Sequence, residues 1–249
     1  MSTLDARVPV YARATPRSVA AVREVALIGS TFLLYELGRH LVGHRGALAF
    51  TDAGSVVSAE RALHLPSETV VQHALLSSQT LVRAANVFYV SVHFPATIAF
   101  LVWMWLYRPQ AYAWARSLLV SVTLAAFVLH VTFPLAPPRM LPGFIDTMAV
   151  YGPSAYGEGT QSVTNQYAAM PSLHAAWALI IAITLVVSLS SRWRWLAVLH
   201  PALTVGVIVG TGNHYWLDVV AAAALVLLAL GVHGVAPRDG QRRAAPAAA

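Results

Sequence analysis

The 249 residues contain no cysteine and no lysine, and only 10% of them are charged. The missing cysteine excludes disulfides, thiolate nucleophiles and cysteine-ligated metals. The missing lysine makes arginine the carrier of the net charge of +6. The scarcity of charge excludes more. A soluble domain has about 25% charged residues, so a water-soluble protein with a large core does not fit. Hydrophobic residues make up 57% of the chain, and it reads as an integral membrane protein. No dense basic run lies beside stacking aromatics, so nucleic acid is not expected as a partner. No internal repeat of fixed period is visible.

Six apolar segments can be placed, at about 19–42, 85–107, 117–135, 172–189, 196–211 and 214–232. The expected fold is all-α: a polytopic membrane bundle of six transmembrane helices. The stretch 46–83 is too polar to span. Val70, Val71, Ala74, Leu75, Leu81 and Val82 fall at roughly helical spacing there, with Ser67, Glu68, Gln72 and Gln79 between them. That pattern fits an amphipathic helix lying in the interface after the first segment, or a small extramembrane cap on the bundle. Residues 1–18 hold Arg7, Arg13 and Arg17 but no compact apolar core with a cleavage site, and read as a cytoplasmic tail. Residues 19–233 form one membrane-embedded catalytic domain. Residues 234–249, rich in Ala, Pro and Arg, read as a disordered tail.

Arginine placement orients this bundle in the cell membrane. With both termini cytoplasmic, Arg7, Arg13, Arg17, Arg23, Arg108, Arg116, Arg192, Arg194, Arg238, Arg242 and Arg243 lie inside. Only Arg39, Arg45, Arg61, Arg83 and Arg139 lie outside, as the positive-inside rule favours. The loop after segment three, the start of segment four and the junction of segments five and six then share the extracytoplasmic face.

Three clusters with chemical potential meet on that face. The first is Gly212-Asn213-His214-Tyr215-Trp216-Leu217-Asp218. Four residues apart on a helix, His214 and Asp218 share a face. The carboxylate then fixes the imidazole tautomer and leaves a nucleophilic nitrogen. His64 and Glu68 have the same spacing, but Pro66 between them opposes a shared turn. The second cluster is Met170-Pro171-Ser172-Leu173-His174. Proline is favoured at the first helical position, and a helix starting there offers free N–H groups to an anion. Ser172 adds a donor, and a protonated His174 is a general acid for a leaving oxygen. The third cluster, Phe133-Pro134-Leu135-Ala136-Pro137-Pro138-Arg139, ends segment three and aims Arg139 over the bundle. Its planar fork matches phosphate oxygens. An anion cradle, a nucleophilic imidazole and an acidic imidazole together suit phosphoryl transfer without a metal or cofactor.

Pro171-Ser172-x-His174 and His214-x-x-x-Asp218, each opening an apolar segment, resemble the motifs of the type 2 phosphatidic acid phosphatase superfamily over roughly 85–232. The resemblance implies that His214 is the nucleophile, Asp218 its orienting carboxylate and His174 the acid, with Arg139 and Ser172 binding phosphate. Two departures stand out. Pro137-Pro138-Arg139 replaces the usual Lys and Arg-Pro of the first motif, and Val207-Ile208 stand where a Ser-Arg pair precedes the last histidine. The Asn213-His214-Tyr215 form is similar instead to the branch containing inositol phosphorylceramide synthase and related inositol phosphotransferases. The implied partners are a lipid phosphate and, as acceptor, water or a small alcohol such as inositol.

His93 is the best candidate to support the site from a neighbouring helix, with Asn86 and Tyr89 beside it, and Asn213 and Tyr167 are further candidates. The loop 143–166 could gate the headgroup, while Asp146 and Glu158 are simply solvated charges. His130 reads as a hydrogen-bond partner within the bundle. Two other classes stay open. A non-enzymatic lipid-phosphate transporter or binding protein needs only Arg139, Ser172 and the helix start. An intramembrane protease would use Ser154 or Ser172.

Overall fold

The computed structural model describes residues 17–41, 45–153 and 166–234. These residues are helical in the main. Among them no strand forms, and the one β contact is an isolated parallel bridge between Leu135 and Ala168. The helices are α1 (Arg17–Leu41), α2 (Gly46–Ala62), α3 (Glu68–Leu76), α4 (Gln79–Val87), α5 (His93–Tyr107), α6 (Pro109–Thr132), α7 (Thr147–Tyr151), α8 (Leu173–Ser188), α9 (Leu199–Gly210) and α10 (Trp216–His233). A π turn at Phe88–Val92 fuses α4 and α5 into one 29-residue run. A 3-10 stretch, Arg192–Val198, leads into α9.

Each apolar segment expected from the sequence is largely helical, and among the described residues four runs are long and apolar enough to cross a membrane. These are Gln79–Tyr107, Pro109–Thr132, Arg192–Gly210 and Trp216–His233. Helix α8 is as apolar but has 16 residues. At 1.5 Å per residue it reaches roughly 24 Å, short of a hydrocarbon core of about 30 Å. Helix α1 begins at Arg17, inside the expected tail, and its side chains from 35 onward lie outside the described residues. So do the rest of both tails and the middle of the 143–166 loop, with Ser154 and Glu158.

The single amphipathic helix expected at 46–83 is instead two helices, α2 and α3, separated by a turn, and then the start of the α4–α5 run. The reason for the break lies in Pro66, and the face that packs inward is mixed. Val70 and Leu81 are exposed, while Glu68 and Gln72 are buried. Gln72 is held by both bonding groups of Ile145: its amide donates to the carbonyl and its oxygen accepts from the N–H. Helix α3 thus turns Glu68 and Gln72 toward the bundle beside Val71 and Leu75, which pack on the core. This region packs on the bundle, with α3 on α9 and α2 touching α10. His64 lies between the two helices with φ +55°, off the turn that carries Glu68.

Helices α6 and α8 occupy the middle. Helix α6 packs on α1, α5, α8 and α10, and α8 packs on α5, α6, α9 and α10. Small residues permit this: Ala111, Ala115, Ala175, Ala176, Ala178 and Ala222 are buried and let helix backbones approach closely. One end of the bundle is tied by Glu24, which accepts from Tyr112 and pairs with Arg116, and by His233 against Ser121. The opposite end is roofed by a second apolar cluster of Ala49, Ala53, Val56, Leu135, Ala136, Tyr167, Ala169 and Tyr215. Beneath that roof the chain starts α8 and turns from α9 into α10.

Candidate active site

The α9–α10 corner is built around a glycine. Gly212 has φ +70°, a conformation that L side chains rarely adopt. A Cβ there would meet the Gln72 amide at 3.0 Å and the Arg139 backbone nitrogen at 3.3 Å. The Gly212 carbonyl accepts from that Arg139 N–H at 2.8 Å, joining the first and third sequence clusters. The N–H groups of Asn213 and His214 both turn back to the Ile208 carbonyl.

His214 is not part of α10, as the sequence reading had it. The helix begins at Trp216 with Tyr215 as its N-cap. Asp218 is then the third helical residue, and its side chain folds back over the cap. One oxygen, Oδ2, accepts from the Tyr215 N–H at 2.9 Å and lies 3.1 Å from His214 Nδ1. The pair therefore forms by capping-box geometry, not by stacking one helical turn on another. Nδ1 also lies 2.9 Å from the Ala169 carbonyl oxygen. A carbonyl only accepts, so Nδ1 carries the hydrogen and Nε2 keeps its lone pair. Burial pushes the His214 ring down to about 3, opposed by the Ala169 bond and helped by the charge of Arg139. The ring is thus neutral and holds one fixed tautomer.

Helix α8 starts at Leu173, with Ser172 as N-cap and Pro171 ahead of it. Pro171 is therefore not the first helical residue. The Ser172 oxygen accepts from the Ala175 N–H at 3.3 Å, and its own N–H donates to the Asp218 carbonyl at 3.2 Å. Ser172 is fully buried and ties the starts of α8 and α10 together. The His130 Nε2–H donates to the Pro171 carbonyl at 3.0 Å, as expected of a bundle hydrogen-bond partner.

His174 lies in the first turn of α8, and its ring centroid is 6.2 Å from that of His214. The two rings therefore border the same part of one cavity. Three rings grip His174: Tyr89 stacked at 4.3 Å, His93 tilted at 4.8 Å and Phe94 edge-on at 5.2 Å. His93 is buried and also stacks on His200 at 5.5 Å. His93 thus packs its ring against His174. Asn86 is elsewhere, bonded to Thr147 and Gly152.

Arg139 is buried, and three side chains fix its fork. Nη1 donates to Asn213 Oδ1 at 2.9 Å, Nη2 donates to Gln166 Oε1 at 2.8 Å, and Nε lies 3.4 Å from Asp146 Oδ2. Asp146 is therefore not a merely solvated charge. Its other oxygen caps α7 by accepting from Met148 and Ala149. Tyr167 belongs to the apolar roof, and its carbonyl accepts from Leu135; its neighbours Gln166 and Ala168 line the cavity below.

That cavity holds about 570 Å³. Arg139, Asn213, His214 and His174 lie at one end. From there it runs between α1, α5, α6 and α8 along Ile98, Leu101, Leu119, Val120 and Trp177 to Arg116. An ionic group at the mouth and an apolar chain along the walls is the chemistry it fits. Among the described residues no group of His, Asp or Glu has the arrangement of a metal site. The sequence reading missed Glu60 and Glu68, both buried against the start of α10. Their signal was weak, since each sits in a polar stretch that resembles a solvated face.

No curated protein and no solved structure matches the chain. A family model, described as the PAP2 superfamily, matches residues 54–232. The match spans well over half of the chain and includes α3 to α9, both histidine motifs and nearly all of α10, and with it the chain belongs to the PAP2 superfamily.

Proposed function

We propose that the protein is a membrane lipid phosphatase or phosphotransferase that works through a phosphohistidine at His214. Membership of the PAP2 superfamily supports a phosphatase-type function on a lipid phosphate. The observation that carries the finer reading is the committed Nδ1 of His214, with the His174 ring 6.2 Å away across the cavity mouth.

The lone pair on His214 Nε2 attacks phosphorus and forms an N–P bond. The bond from phosphorus to the lipid oxygen breaks, and protonated His174 gives that oxygen its proton. In the second half His174, now neutral, takes a proton from water or an alcohol. The new oxygen bonds to phosphorus, the N–P bond breaks and both imidazoles return to their starting states. Asp218 holds the tautomer throughout, and Arg139 offsets charge on the equatorial oxygens. The capped start of α8, with Ser172, adds donors on the same side. No metal has a part in this scheme. The lipid tail lies along the apolar cavity wall.

We place the site on the extracytoplasmic face, with both termini inside and α1 and α8 adding two crossings to the other four. The Asn213-His214-Tyr215 form favours transfer to inositol or a similar alcohol beside hydrolysis. The test is phosphate release and headgroup transfer from phospholipid and polyprenyl phosphate substrates with EDTA present and water, glycerol and inositol competing. Turnover in EDTA with an inositol-containing product is expected. Silence on every lipid phosphate, with binding retained, would instead favour a lipid-phosphate binding protein.

The pH profile follows from the site. A nucleophile whose pKa is lowered stays reactive as the pH falls, until the pH approaches that lowered value. Since His214 is pushed down to about 3, the acid limb of kcat/KM is expected well below 6.5, the ordinary imidazole value. The alkaline limb reports loss of the acid's proton, which gives a bell. A rate that climbs steadily to high pH contradicts His174 as acid, and an acid limb at 6.5 or above contradicts the buried neutral nucleophile.

A further inference from the structure

The first turn of α10 is held by carboxylates from two other helices. A helix leaves its first N–H groups without intrahelical partners. Here the Tyr215 N–H donates to Asp218 at 2.9 Å, the Trp216 N–H to Glu68 Oε1 at 3.3 Å and the Leu217 N–H to Glu60 Oε1 at 2.8 Å. Three consecutive amides thus have three different carboxylates. Glu60 comes from the last turn of α2 and Glu68 from the first residue of α3, and each is 5% exposed. The Trp216 indole N–H donates to the Pro66 carbonyl at 2.7 Å, in the linker between those helices. The Tyr215 hydroxyl donates to the Ala136 carbonyl at 2.8 Å.

Burying two carboxyl groups together is costly unless something offsets it. The positive end of the helix dipole offsets part. A proton between them offsets more: burial, then the hydrogen bond from Glu68, pushes Glu60 up to about 8. Near neutral pH Glu60 therefore tends to keep its proton, with Glu68 and Asp218 as its acidic neighbours.

Such an arrangement exceeds what the end of a helix needs, because water or a single cap would satisfy these amides. What distinguishes this end is its cargo. Asp218 and His214 are set by the backbone of these same residues, and the His214 ring has its partner oxygen in the same turn. We propose that Glu60 and Glu68 are positioning residues for the nucleophile: together they fix the first turn of α10, and so the aim of His214 Nε2. They bind no ligand and touch no reacting atom. The proposal rests on the function proposed above for its kinetic consequence but not for its structural one.

The test uses Glu60→Ala, Glu68→Ala and Glu60→Gln in the full chain. Glu60→Met, which keeps bulk but cannot accept from Leu217, serves if an alanine variant does not purify folded. A nucleophile displaced by a fraction of an ångström loses on the order of tenfold to a hundredfold in rate. That loss is expected in kcat for the alanine variants, with KM within twofold. Glu60→Gln keeps an acceptor for Leu217 and a donor for Glu68, and is expected to stay within threefold of the parent. Amide hydrogen exchange at residues 216 and 217 is expected to be at least tenfold faster in the Glu60→Ala chain. The inference is overturned by unchanged exchange, by alanine variants that keep kcat within twofold, by a rise in KM alone, or by a glutamine variant as slow as the alanine one. If the parent turns over no lipid phosphate, the proposed function fails, and the exchange result alone decides whether the clamp exists.

Discussion

Replacing His214 by alanine is expected to lower turnover of a lipid phosphate by on the order of 10⁴-fold or more, to the level left by binding and electrostatics alone. The free nitrogen of this ring is defined by its other contacts. Nδ1 faces the Ala169 carbonyl and Asp218, so no competing tautomer presents a proton where the attack must occur. Alanine removes the N–P bond from the reaction path, which no neighbour restores: Arg139 is cationic, and Asn213 is held between Arg139 and Thr211. KM should change little, because the apolar cavity and Arg139 remain. Steady-state kinetics with a membrane-extracted enzyme checks this, and a variant that keeps a tenth of the parent rate contradicts the assignment.

The second large effect is expected at His174. Loss of a general acid costs about 10²–10⁴-fold, and His174→Ala should fall in that range with a lipid alcohol as leaving group. The size should depend on the leaving group. An alkoxide leaves poorly without a proton, whereas an acidic phenol leaves well, so an activated aryl phosphate should recover much of the lost rate in the first half-reaction. The parent should show little such preference. Equal losses for both substrates would mean that His174 does not donate the proton. The packing supports a ring held in place: Tyr89, His93 and Phe94 enclose it on three sides.

The fold class was legible because membrane helices reveal themselves by composition. Long apolar runs around Ile180, Ile208 and Val226 are helical where expected. The pairing of His214 with Asp218 was legible too, although for a different local reason. The spacing suggested one helical turn, whereas the observed bond arises because Asp218 caps the helix that His214 precedes. Both geometries bring residues four apart together, so the sequence could not tell them apart. The packing of residues 46–83 was only partly legible, because an amphipathic pattern does not show which polar residues the bundle also buries. Glu68 and Gln72 face inward because backbone groups at the α10 start and at Ile145 need polar partners. Asp146 was equally opaque, since its pairing with Arg139 depends on where two loops meet. Of the six crossings expected, four are helices long and apolar enough among the described residues, while α8 has the composition but only 16 residues.

The most direct test of the account is to look for the phosphorylated enzyme. The reaction is stopped in alkali, which preserves a phosphoramidate, within the first turnover of a lipid phosphate, and the phosphoryl group is located by peptide mass. The account predicts an acid-labile phosphoryl group on His214, absent from His214→Ala and longer-lived in His174→Ala. A phosphoryl group on His174 or on a serine, or none at any time while product forms, would contradict it.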